Sequence, residues 1–208
     1  MKLFATTLLT ASLCVAASAS AQARTFAING WGMSSVQFTS DAPLETIVGT
    51  TSKAGGSLTV DLGSPAKSAK GSIDVDISSL KTGVDTRDEH LRGEQWFDSG
   101  KHPKATFALT KLDVQGAITA GRKSTGTAHG TITIKGKTQK ISVELSSIKF
   151  VKHKPAFEKM GIKGDVLRIT AAFDVKLADF GIGAGLPVIG AKVSDTVNVT
   201  MRLTAIAN

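Results

Sequence analysis

No tyrosine occurs in the 208 residues, and aromatic side chains make up only 5% of the chain. β-Barrels that span an outer membrane carry aromatic girdles at both water interfaces. Two tryptophans, and an ending in Ala207-Asn208 rather than an aromatic, argue against that class. The one cysteine, Cys14, lies in the apolar run over residues 3–19 and follows Leu13, where a lipoprotein signal needs a small residue. That run and the stretch Ala19-Ser20-Ala21-Gln22-Ala23 read as a secretory leader over residues 1–23, cleaved after Ala23 so that Arg24 comes first. The expected location is the periplasm. The remaining domain, residues 24–208, has no cysteine, which excludes disulfides and thiol chemistry. It must hold together by burial alone, and its length suits a single domain.

Acids are also scarce, 17 against 25 Lys and Arg, for a formal net charge of +8. The cations come in small groups such as Lys135/Lys137/Lys140 and Lys149/Lys152/Lys154. Such a surface favours anionic partners. For an exported chain these are an anionic membrane surface, pyrophosphates or envelope polysaccharides, and not nucleic acid. No serine stands in a Gly-x-Ser-x-Gly elbow. Gly181-x-Gly183-x-Gly185 runs into Pro187 instead of opening a helix, so no phosphate-cradling loop and no cofactor is expected.

What the chain does have is period-two alternation. From Leu167 to Leu177 the odd positions include Leu167, Ile169, Phe173 and Val175, against Arg168, Thr170, Asp174 and Lys176 at the even ones. Val197, Val199, Met201 and Leu203 repeat the pattern, and shorter alternations occur at Ile73/Val75/Ile77, Phe107/Leu109, Ile132/Ile134 and Ile141/Val143/Leu145. Each marks a strand with one apolar face. After Leu145 the apolar parity shifts to Ile148 and Phe150, which predicts a bulge there. Turn signals such as Gly55-Gly56 and Gly136-Lys137 separate the segments. Seven or eight long antiparallel strands in a chain of this size predict an all-β sandwich or closed barrel, and their length favours the barrel. About eight strands is the size that encloses one small ligand.

Residues 87–107 interrupt this regularity. Thr86-Arg87-Asp88-Glu89 reads as a capping box with the helix starting at Arg87, and Asp88 and Arg92 stand four apart as an ion pair. Leu91, Trp96 and Phe97 are its apolar handles, and Pro103 forces His102 into an extended conformation ahead of a strand over residues 104–111. His90 and Glu94 share a helix face, with Asp88 and His102 near in sequence, so a metal-dependent enzymatic site is an alternative reading.

The run Ile77-Ser78-Ser79-Leu80-Lys81-Thr82-Gly83, then Arg87-Asp88-Glu89-His90-Leu91-Arg92, Trp96-Phe97-Asp98, Pro103 and Phe107, resembles the signature of the bacterial YceI-like proteins. Thr131-Ile132-Thr133-Ile134-Lys135-Gly136-Lys137-Thr138, Asp179-Phe180-Gly181-Ile182 and Val193-Ser194-Asp195-Thr196-Val197 agree with it. The chain departs from the family at Ser40-Asp41-Ala42-Pro43-Leu44, where a histidine is common, at Leu177-Ala178, where an arginine is, and at Gln139-Lys140, where Lys-Pro is usual. The resemblance implies a lipocalin-like antiparallel barrel in the periplasm that holds a polyisoprenoid or other long-chain lipid, with no catalytic residue and no metal. The implied ligand wall is Ile73, Val75, Ile77, Phe107, Leu109, Ile132, Ile134, Leu167, Ile169, Phe173, Val197, Val199 and Met201. Arg87, His90, Leu91, Arg92, Trp96 and Phe97 then form a lid or head-group site. A structural, stress-related envelope protein whose barrel is filled by its own side chains is a further alternative. Monomer and homodimer are both compatible with the sequence.

Overall fold

The computed structural model describes residues 22–29 and 32–207. Apart from Gln22 and Ala23, the expected leader lies outside the described residues. Alternation becomes ten strands: β1 (Arg24–Ile28), β2 (Ser35–Asp41), β3 (Thr46–Thr51), β4 (Ala54–Val60), β5 (Lys70–Asp76), β6 (Lys104–Val114), β7 (Lys123–Ile134), β8 (Lys137–Val151), β9 (Val166–Lys176) and β10 (Thr196–Ala207). Among the described residues three α-helices join them, α1 (Pro65–Ser68), α2 (Asp85–Arg92) and α3 (Pro155–Glu158), with short 3-10 turns at Ile77–Ser79 and Leu177–Phe180.

The ten strands pair with one another antiparallel throughout, and β1 pairs with both β4 and β10, which closes the sheet. The ten strands fill eight positions around the barrel. β1 and β2 both run along the same edge of β10, Phe26 opposite Ala207 and Val36 opposite Met201. β3 and β4 likewise succeed one another along them, Thr51 opposite Val36 and Val60 opposite Arg24. At the break between β1 and β2 the amide of Thr204 donates to Ser34 Oγ and its hydroxyl donates to Met33 O, so the interrupted ladder leaves these groups paired.

The predicted bulge is present: the β8–β9 register slips between Leu145 and Ser147, and Ile148, 1% exposed, returns to the core. The slip turns two apolar runs of opposite parity onto one face. β7 and β8 are joined by the two residues Lys135 and Gly136, with φ of 48° and 73°. Two left-handed residues match the twist of the strands they connect, and glycine takes the second at no steric cost.

The helix in the odd stretch starts earlier than the capping box predicts. It runs from Asp85, Val84 takes the cap position, and no side chain caps it. Asp88 is committed elsewhere. Its Oδ1 accepts from both the amide and the hydroxyl of Thr82, at 2.7 Å each, and its Oδ2 lies 3.6 Å from Lys81 Nζ rather than on Arg92. This inward anchor replaces the expected box and the expected Asp88–Arg92 pair.

Candidate functional site

The inward faces of the strands do not meet at the axis. They leave a cavity of about 370 Å³ along the barrel, within the range of small-molecule sites. One end is closed. There Ile118, buried at 3% exposure, donates its amide to Leu62 O and lies with Leu112, Val60 and Ala69 on the cavity wall. The other end is bounded by α2, the β2–β3 turn and the loop between β9 and β10, which together form the mouth.

Every residue of the sequence-derived wall, from Ile73, Val75 and Ile77 through Phe107, Leu109, Ile132, Ile134, Leu167, Ile169 and Phe173 to Val197, Val199 and Met201, lies on the cavity surface. The intervening side chains, such as Thr170 and Asp174, do not. At the mouth Arg87, His90, Leu91, Trp96 and Phe97 also border the cavity. Arg92 does not: it ends α2, and its carbonyl accepts from the amide of Ser99 at 3.0 Å. Trp96 and Phe97 pack on the mouth-side cluster of Ile132, Ile134, Leu177, Phe180 and Ile182.

The sequence reading missed the share of β2 and β4. Val36, Phe38, Leu58 and Val60 are on the wall, and Val36/Phe38 between Ser35, Gln37 and Thr39 is an alternation like the others. Phe38 needs Gly49 opposite it, because a Cβ there would overlap the edge of the Phe38 ring. Glu45 and Lys192 were also missed, and no local pattern marks them.

Among the described residues the charged groups on the cavity surface are Glu45, Arg87 and Lys192, which stand with the His90 imidazole at the mouth. Arg87 pairs through Nη1 with Glu45 Oε1 and donates from Nε to Thr82 Oγ1 at 3.0 Å. Thr82 in turn donates to Asp88, so one chain of polar contacts runs from the β2–β3 turn through α2 to Lys81. Asp88 is 1% exposed. Burial pushes its carboxyl upward, but the two donations from Thr82 and the Lys81 ammonium outweigh this and hold it below the ordinary aspartate value. Segment 77–82 is strapped to the barrel beside it, with Thr50 and Lys81 exchanging backbone hydrogen bonds at 2.8 and 3.0 Å.

The four residues of the metal reading are not brought together. Asp88 faces Thr82, while Glu94 Oε1 lies 3.3 Å from Lys101 Nζ. His102 lies against the β7–β8 turn at Gly136, and His90 borders the cavity. Among the described residues no three His, Cys, Asp or Glu side chains gather as metal ligands. On the outer wall His129 bridges Ser142 Oγ at 2.8 Å and Asp113 Oδ2 at 2.9 Å. That serine sits in mid-strand, paired in the β7–β8 ladder, and away from the cavity.

A family model described as the YceI-like domain matches residues 31–205. The chain belongs to the YceI-like family. A UPF0312 protein of Vibrio campbellii is 30% identical over 122 residues, 59% of this chain and 56% of that protein. The matched stretches span between 31% and 56% of the first curated relatives. Among solved structures, BcnA of Burkholderia cenocepacia superposes with a TM-score of 0.65 at 22% identity, over 86% of this chain and 99% of that one. A structure described as a polyisoprenoid binding domain from Saccharophagus degradans does so with a TM-score of 0.64 at 15% identity, over 90% of this chain and 100% of that one. At such identities these likenesses show the shared barrel fold.

Proposed function

We propose that this YceI-like protein is exported to the periplasm and there binds or carries a polyisoprenoid or other long-chain lipid, its tail in the barrel and its head at the mouth. The observation that carries this reading is the segregation of charge: the cavity is apolar along the strands, and its charged groups stand at one end. Each CH₂ of a tail removed from water contributes about 0.8 kcal/mol, so a long tail binds firmly with few polar contacts. A catalytic role is not part of the proposal, because the wall offers apolar contact and the acid and histidine side chains near α2 are dispersed. The polyisoprenoid-binding neighbour of the same fold supports the choice of ligand class.

The test is uptake of a polyprenol by delipidated protein. Ile169→Asp puts a charge on the wall and abolishes uptake, whereas Thr170→Asp, one residue along and facing out, leaves it intact. Equal loss in both variants would contradict the proposal.

A further inference from the structure

The closed end carries a different surface. The registers place Lys123 opposite Lys149 and Lys149 opposite Arg168, so three exposed cations stand side by side across β7, β8 and β9. Like charges directly opposite one another oppose pairing. The segment that follows β8 extends the row, with Lys152, Lys154, Lys159 and Lys163 all exposed. Of the acids there, Asp165 is already engaged, accepting from Arg24 at 2.7 Å and from the His153 amide at 2.6 Å, and Glu158 stands exposed, 3.9 Å from His153. None of these seven cations forms an ion pair among the described residues.

Between Lys159 and Lys163 stands Met160, 63% exposed, in the turn after α3. Phe157 and Ile162 beneath it pack on Val166 and Ile206 in a small cluster outside the barrel, so the turn has a fixed base. A polysaccharide or nucleic acid would meet the lysines and leave the methionine in water. A bilayer interface uses both, the cations at the head groups and the apolar side chain below them.

We propose that the closed end of the barrel docks on an anionic lipid surface, with Met160 entering the interface and the surrounding lysines at the head groups. The mouth, at the opposite end, then faces away from the bilayer. This surface is separate from the cavity and does not depend on what the cavity holds.

The experiment is co-sedimentation of the mature chain with vesicles of phosphatidylglycerol and phosphatidylcholine, against phosphatidylcholine alone. Binding to the mixed vesicles and not to the neutral ones is expected. Each lysine near an anionic surface is worth roughly fivefold in partitioning, so Lys152→Gln, Lys154→Gln, Lys159→Gln and Lys163→Gln together weaken binding several hundredfold at low salt, by that estimate. Met160→Ser weakens it about tenfold, the worth of burying part of such a side chain. A control set at the mouth end, Lys53, Lys101, Lys104 and Lys140 to Gln, removes the same charge and has a much smaller effect. All these side chains are exposed, and unchanged thermal melts verify that the variants fold. Equal loss in the two lysine sets would overturn the proposal, because net charge alone would then account for binding. Unchanged vesicle binding by Met160→Ser would also overturn it, pointing to a polyanion surface that dextran sulfate should occupy equally well.

Discussion

Along β9 the parity of a residue decides its side: Ile169, Ala171, Phe173 and Val175 meet the cavity, and their neighbours meet water. At the mouth nothing so regular operates, and Arg87 finds Glu45 across 42 residues of chain. The wall is redundant, many apolar side chains sharing one task. The mouth depends on a few polar contacts, each with a specified partner. A single loss is therefore felt differently in the two regions.

The largest effect is expected in the packed core where the barrel closes, which has no slack. Phe26 is 0% exposed, stands edge-on to Phe150 at 6.5 Å and lies beneath the Arg24 guanidinium, where β1 closes the barrel. Phe26→Ala should cost about 3–5 kcal/mol in urea unfolding. A cost below about 1 kcal/mol would show that closure does not rest on this contact.

Next comes the anchor of α2. Asp88→Ala removes the acceptor for two donors of Thr82 and should cost about 1–3 kcal/mol, with faster proteolysis within residues 80–100. The same carboxyl makes the mouth acid-sensitive. Because its folded value is depressed, its stabilisation is complete above the ordinary aspartate value of about 3.9 and is lost as pH falls below that through the folded value. Unfolding measured on either side of that value should show wild type losing more stability than Asp88→Asn as the pH drops. Parallel losses would assign the acid sensitivity to other carboxylates, Asp165 among them, which is also held low: burial raises it, and the His153 amide and Arg24 outweigh that.

The smallest effect on stability is expected at the half-exposed Arg87–Glu45 pair, about 0–1 kcal/mol for Glu45→Ala. Its effect should appear instead in exchange, with a bound polyprenol leaving faster because the β2–β3 turn is no longer tied to α2. An unchanged off-rate would remove this pair from the account of the mouth.

The same contrast governs what the chain discloses before it folds. Strands of period two announce both their existence and their inward face, and even the bulge after Leu145 is written as a change of parity at Ile148 and Phe150. β2 carried the same signal in Val36 and Phe38, but a single alternation flanked by Ser40 is short enough to pass unread. The mouth was legible only as a polar interruption. Thr86 and Glu89 satisfy the pattern of a capping box, yet the helix begins at Asp85, because Asp88 binds Thr82 across the preceding turn. Glu45 and Lys192 reach the mouth through the closure of the whole barrel, and local sequence holds no record of that.

The most direct test of the central reading is to purify the protein from periplasm, compare its mass under native and denaturing conditions, and identify whatever small molecule is released. The account predicts a retained long-chain lipid, with polyisoprenoid as the leading class. An empty barrel that also refuses polyisoprenoids added afterwards would contradict it.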